Sequence, residues 1–293
     1  MTWFGVVNPA AGRFTPLLED VVRVSHGLGL DATFEESSSG EDVIARVTNA
    51  VGEGYRRFIA VGGDGTNHLV VNALMASGCD ERFTVGVVPV GSGADFVKTF
   101  GHERGVEAGL ARIAKPELYA IDIGRVTGAF GTLYFVNAMN LGVGAAAAAT
   151  ANRFPRWAGA LRYRTAFWLA LSVFRGGRVS VVVDQHRYQG DAINVVVANG
   201  QFFGGGMNIA PRSTLVDGKM DVQVFLTPRR QAFVVMPRIL MGTHLTHKGV
   251  KRYSGGSIRI DVPDSWLVEA DGELIGSGSI EVEVLPRVLD FVI

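Results

Sequence analysis

Apolar positions in the first 120 residues fall into short unbroken runs, FGVV at 4–7, FIAV at 58–61 and VGVVPV at 85–90, separated by stretches with helical spacing. A short apolar run bounded by glycine, proline or asparagine fits a buried strand, and recurrence every three or four residues fits an amphipathic helix. The pattern predicts strands over those runs and over ATFEE at 32–36, with helices near 15–28, 40–54 and 66–76. Strands alternating with helices imply a mostly parallel sheet covered on both faces, where ligands collect at the carboxyl ends of strands.

Beyond Asp122 the texture changes. LYFVNAMNLG, RVSVVVD, AINVVVANG, MDVQVFL, SIRIDV and SIEVEVL read as strands divided by Gly, Asp and Asn, with one main helical interruption near 157–174 and a packed helix start at the alanines of 145–149. This predicts an antiparallel sandwich or barrel. The expected fold is α/β plus β: a doubly wound nucleotide-binding α/β domain over 1–123 and an antiparallel β-sandwich-like domain over 124–284. The last strand, in 285–293, either closes the second domain or returns to the first.

Composition narrows the function. A chain of 293 residues is long enough for two domains, and 28 basic against 28 acidic residues remove the broad electrostatic case for nucleic acid. The densest apolar run, AFWLALSVF at 166–174, is far short of the ~20 residues that span a bilayer. The single cysteine, Cys79, excludes an intrachain disulfide and a cysteine metal cluster, and the start of the chain carries no basic n-region or cleavage site. A cytoplasmic protein is expected.

Three loops share one character: NPAAG at 8–12, GGDGT at 62–66 and GSGAD at 91–95, each after an apolar strand. Glycines let backbone amides approach an anion, and the hydroxyls of Thr66 and Ser92 would face phosphate oxygens, which suits a nucleotide triphosphate. Neither a Walker A motif nor a GxGxxG dinucleotide fingerprint is present.

These loops, followed by NGQFFGGGMNIAP, LVDGKMDV and EADGE in that order, resemble the diacylglycerol kinase catalytic family, above all its bacterial soluble lipid kinases. GGDGT alone is also used by NAD kinases and phosphofructokinases. The resemblance implies ATP, Mg2+, a lipid-binding second domain and an active site in the cleft between the domains. It places ATP against Asn8, Pro9, Ala10, Ala11 and Gly12, against Gly63, Asp64, Gly65 and Thr66, and against Ser37 and Ser92, with Asp64 in reach of magnesium. Asp217 matches an aspartate that holds a structural magnesium, with the carbonyls of Thr214 and Lys219 as companions. Asp271 and Glu273 match the segment that supplies the catalytic base, and Glu273 is favoured because Asp271 precedes Gly272 and can be occupied in shaping the turn.

Two departures from the family pattern stand out: Asn67-His68-Leu69 replaces an apolar residue and Asn-Glu after GGDGT, and Ala94 replaces asparagine in the third loop. The expected activity is ATP-dependent phosphorylation of a hydroxyl on diacylglycerol or a related lipid. The rivals are a soluble small-molecule kinase of the NAD kinase type and a non-catalytic lipid- or nucleotide-binding relative. An aliphatic pocket in the second domain favours the lipid, and a polar one able to stack adenine favours the NAD kinase type. The stretch 153–175, with Trp157, Phe167, Trp168 and five arginines, reads either as core or as a lip resting on anionic headgroups at the inner membrane face. Asp217 in VDG and Asp271 in ADG also read as ordinary turn residues. His244 and His247 read as a solvated helical face, and the oligomeric state is left open, a homodimer included.

Overall fold

Trp3–Val7 (β1) is buried at every position, as its unbroken apolar run requires. The structure is a computed structural model of the chain and describes residues 2–11, 17–91, 94–151, 153–154, 160–226 and 228–293. The chain folds as two units, Met1–Ile121 joined by Arg287–Ile293, and Asp122–Pro286.

In the first unit β1 is followed by α1 (Leu17–Gly27), β2 (Ala32–Glu36), α2 (Gly40–Gly52), β3 (Arg57–Gly62), α3 (Asp64–Ala76), β4 (Phe83–Pro89), α4 (Asp95–Lys98) and α5 (Val106–Ala114). The strands are parallel in the order β2-β1-β3-β4. Winding therefore reverses between β1 and β3, which opens a crevice at their carboxyl ends. Leu17 and Val21 of α1 and Leu110 and Ile113 of α5 pack with Trp3, Val7, Ile59 and Val61 on one face. Helices α2 and α3, in contact with each other, cover the opposite one. Ser39 caps α2 by accepting the Asp42 N–H.

The second unit contains β5 (Leu118–Gly128), which enters it from the first, then β6 (Gly131–Phe135), β7 (Ala138–Gly142), α6 (Val143–Ala151), α7 (Ala160–Val173), β8 (Gly177–Val183), β9 (His186–Ala192) and β10 (Asn194–Ala198). It continues through β11 (Phe202–Phe203), β12 (Met207–Asn208), β13 (Met220–Phe225), α8 (Ala232–Leu240), β14 (Val250–Gly255), β15 (Ser257–Asp261), β16 (Leu267–Ala270), β17 (Glu273–Ser277) and β18 (Ile280–Val292). The helix expected near 157–174 is α7, the alanines of 145–149 begin two residues into α6, and α8 is a further helix.

One sheet has the order β14-β13-β10-β7-β16-β17, antiparallel throughout, and the strands β9-β8-β15-β18-β5-β6 form the facing layer. Met139, Leu141, Val195, Val197, Val222 and Val224 of the first meet Val179, Val181, Ile258, Ile260 and Val282 of the second in one core. Side chains alternate along a strand, so Asn140, Asn194, Gln223 and Glu269 belong to the first sheet's outer face, which α6, α7 and α8 cover. The final strand takes both courses its sequence leaves open. Ile280–Glu283 pairs with β15 in the second unit, and Leu289–Phe291 extends the parallel sheet of the first beside β4.

Candidate functional site

Glycine is demanded in the opening loop by close approach. A Cβ on Gly62 would lie 2.2 Å from Thr66 Oγ1, and one on Gly91 2.8 Å from the Gly63 Cα, so the turns after β3 and β4 touch backbone to backbone. The third loop is tied in by charge. Asp64 accepts the N–H groups of Asp95 (2.9 Å) and Phe96 (3.3 Å), holding the start of α4 with its carboxylate. Asp95 in turn pairs with Lys98. Ala94 sits at φ +52°, in the left-handed region where asparagine, the residue it replaces, is more easily accommodated.

The loop after β1 joins the same place. Asn8 Nδ2 donates to Thr66 Oγ1 (3.0 Å), and Asn8 Oδ1 accepts the Ala10 N–H (3.1 Å) to shape the turn through Pro9 and Ala11. The first bond inside α3 runs from the Asn67 N–H to the Gly63 carbonyl, so the amides of Gly65 and Thr66 ahead of it are not consumed by the helix. Amides at a helix start beside a hydroxyl and an asparagine amide suit phosphate oxygens. Ser37 is buried at the end of β2 with its hydroxyl on the Val7 carbonyl (3.2 Å), alongside β1. The departing residues Asn67 and His68 are buried, and Asn67 Oδ1 has no hydrogen-bond partner among the described residues. Gly12 and Ser92 lie outside the described residues, as do Arg156 and Trp157.

In the second unit Asp217 is exposed and accepts the Lys219 N–H (3.1 Å), with Thr214 and Lys219 exposed beside it. The structure adds a carboxylate that the sequence reading passed over. Asp122 is fully buried, and its Oδ2 accepts the Gly218 N–H at 2.7 Å. Asp221 nearby is pushed up by burial, against the pull of Arg252. Carboxylate and carbonyl oxygens around this turn are hard donors of the kind magnesium takes, although no group of three or more His, Cys, Asp or Glu converges among the described residues.

The EADGE segment forms a two-residue hairpin between β16 and β17 with Asp271 at φ +52° and Gly272 at φ +93°, the signature of a type I′ turn. Asp271 is buried. Its Oδ1 accepts the N–H groups of Asn137 (2.9 Å) and Ala138 (3.2 Å) and its Oδ2 that of Val136 (3.0 Å), fastening the hairpin to the corner between β6 and β7. Glu273 is exposed at the start of β17 and has no side-chain hydrogen bond or ion pair among the described residues. Two carboxylates from one short motif thus sit in opposite environments.

Between the sheet's outer face and helices α7 and α8 lies a pocket with about 520 Å³ of empty space, its mouth included. Phe167, Ile193, Phe203, Met207, Val235 and Met236 are among its walls, and Asn140 and Asn194 are its polar side chains. The same helices turn apolar side chains outward: Leu169 and Val173 from α7, and Phe233 and Val234 from α8 with Leu240 and Met241 at its end, are exposed. Phe233 stacks on Trp168 at 4.5 Å. His244 corrects the expected solvated face. It is wholly buried, bonded to Gln223 Oε1 at 2.9 Å, and burial lowers its pKa.

The model of the diacylglycerol kinase catalytic domain matches residues 2–126, and that of the YegS C-terminal NAD kinase beta sandwich-like domain matches residues 137–293. The chain belongs to the family that carries the YegS C-terminal domain, which spans more than half of it, here preceded by the diacylglycerol kinase catalytic domain. Its relatives include the "Probable lipid kinase YegS-like" of Shewanella frigidimarina (strain NCIMB 400), 28% identical over 86% of this chain and 81% of that one. Another is the diacylglycerol kinase of Bacillus subtilis (strain 168), 27% identical over 92% of this chain and 89% of that one. In fold, the chain resembles the crystal structure of a diacylglycerol kinase from Bacillus anthracis strain Sterne, with a TM-score of 0.76 and 20% identity over 99% of this chain and 96% of that one. No helix among the described residues is long and apolar enough to cross a membrane.

Proposed function

We propose that this family member transfers the γ-phosphoryl group of ATP to a hydroxyl of diacylglycerol or a related lipid. The observation that carries the reading is the pocket of the second unit, whose walls are aliphatic and aromatic apart from two asparagines. Such a lining suits acyl chains and gives the polar ring edges of adenine little to bond, which counts against a soluble nucleotide acceptor of the NAD kinase type.

The loops at Asn8–Ala11 and Gly63–Thr66 hold the nucleotide phosphates through backbone amides, the Asn8 amide and the Thr66 hydroxyl. Asp64 keeps the third loop in place against them. Asp217, with the carbonyls of Thr214 and Lys219, would hold magnesium, which supplies positive charge and rigidity there. Phosphoryl transfer asks for positioning and a proton acceptor rather than covalent help from the protein. Glu273, exposed and unengaged, takes the hydroxyl proton, while Asp271 is committed to the backbone. The lipid arrives from a bilayer on which the outward apolar side chains of α7 and α8 rest, with the exposed Arg175, Arg230 and Arg238 facing anionic headgroups.

The test is transfer of labelled γ-phosphate in anionic vesicles to diacylglycerol, a sphingoid base and NAD. Labelled phospholipid is expected, and Glu273→Gln should lower turnover by ~10²–10⁴ with nucleotide affinity retained. The protein should also float with anionic vesicles and be released by salt. Transfer to NAD alone points to the soluble rival; ATP binding with no transfer to any acceptor points to a non-catalytic relative.

A further inference from the structure

The two asparagines of the pocket are links in a hydrogen-bond chain whose direction is fixed at both ends. At one end Glu269, 1% exposed, accepts from Asn140 Nδ2 at 2.7 Å with Oε2 and from the Gly272 N–H with Oε1. At the other end the Gly144 N–H donates to Asn194 Oδ1 at 2.8 Å. A carboxylate only accepts and a backbone amide only donates, so each asparagine has one possible orientation. Asn194 Nδ2 must donate to Asn140 Oδ1, as it does at 3.3 Å, and Asn140 Nδ2 must face Glu269.

The proton count leaves a surplus. Each Nδ2 carries two hydrogens and spends one within the chain, so each keeps an N–H with no acceptor among the described residues. Both residues line the pocket, with Asn140 fully buried and Asn194 7% exposed. A buried N–H left unpaired is costly, which makes this end of an otherwise hydrocarbon cavity a place for an oxygen that accepts and does not donate. Gly144 keeps the arrangement tight, because a Cβ there would lie 2.8 Å from Asn140 Oδ1 and 3.1 Å from Asn194 Oδ1.

We infer that Asn140 and Asn194 form a donor subsite that binds a carbonyl oxygen of the lipid, so that the pocket selects an acyl ester or amide over an alkyl chain lacking one. This rests on the pocket being the seat of the lipid. It also ties recognition to the turn carrying Glu273, since Glu269, which orients Asn140, accepts the N–H of Gly272 one residue before it. The register slips between Val268 and Glu269, an irregularity of the sort that re-aims a side chain.

Binding by calorimetry tests this without catalysis, comparing 1,2-dioctanoylglycerol with its dioctyl ether, which has the same chains and hydroxyl but no carbonyl. The wild-type protein should prefer the diester by about 2- to 12-fold for each carbonyl hydrogen bond, the range a neutral hydrogen bond spans. Asn194→Ala, confirmed folded by its melting curve, should shrink that preference by the worth of one such bond, about 2- to 12-fold. Met236→Ala should weaken both lipids alike and leave the preference unchanged. Equal wild-type affinity for the two, or a preference untouched by Asn194→Ala, overturns the donor subsite and leaves the pocket as the chain seat. Binding of neither lipid overturns the pocket reading itself, and the subsite with it.

Discussion

Replacing Asp271 by alanine removes the acceptor of three buried N–H groups, those of Val136, Asn137 and Ala138. A buried donor left without a partner costs roughly 1–3 kcal/mol, and partial rewetting of the corner brings the expected sum to ~3–5 kcal/mol. Alanine at φ +52° adds about 1 kcal/mol, because aspartate visits the left-handed region more readily. Asparagine is the sharper probe. Its Oδ1 retains the bonds to Asn137 and Ala138, and only the Val136 N–H meets a donor, so Asp271→Asn should cost ~1–3 kcal/mol. Glu273→Gln, on an exposed side chain, should change stability by no more than about 0.5 kcal/mol. Urea unfolding of the second unit, followed through Trp266, which is 2% exposed in its core, reads all three variants. A loss below about 1 kcal/mol for Asp271→Ala refutes the anchoring argument. So does an Asp271→Asn protein of unchanged midpoint whose turnover falls a hundredfold or more, since that would put the carboxylate in the chemistry.

Gly62→Ala should cost ~1–3 kcal/mol and weaken ATP binding, because the new methyl displaces the Thr66 hydroxyl from Asn8; unchanged affinity by calorimetry contradicts this. Burial, with Arg112 adding repulsion, lowers His102 from 6.5 to about 4. The unfolded chain therefore takes up that proton first, and the stability involved is whole above pH 6.5 and lost as pH falls toward 4. His102→Asn should flatten the urea-stability profile across that window, and an identical slope in both proteins refutes it. Asp217→Asn should abolish the rise in melting temperature that magnesium gives the wild type, because an ion held only by the folded state stabilises it by mass action. A rise of equal size in both excludes Asp217 as its ligand.

The parallel sheet was legible because its strands are unbroken apolar runs between glycine-rich turns, as at FIAV before GGDGT. The loops that come together at Asn8 and Thr66 were legible as a repeated motif, but their hydrogen bond was not, since 58 residues separate its partners. Asp122 and Glu269 were passed over because a carboxylate in a strand looks ordinary until its backbone partners are known. Asn140 and Asn194 did carry a signal. Asparagine is poorly suited to strand interiors, and two of them within the apolar runs NAMNLG and INVVVANG needed a reason. His244 misled because spacing of three suggests a helical face, whereas the segment is a short 3-10 turn folded onto Gln223. Between Asp271 and Glu273 the sequence offered only the glycine after Asp271 as a difference; the backbone N–H groups of the β6–β7 corner that Asp271 accepts lie far away in sequence and were not legible.

The passage of β18 from the second unit into the first has a consequence for synthesis on the ribosome. Leu289 and Phe291 are buried in the first unit, and Phe291 packs against the rings of Phe96 (4.9 Å) and Phe100 (5.4 Å), which also meet each other. The nucleotide-loop half of the protein, although translated first, therefore cannot close its core until residues 122–286 have been made. At usual elongation rates that is a wait on the order of ten to thirty seconds, during which the edge of β4 stands unpaired and open to a neighbouring nascent chain.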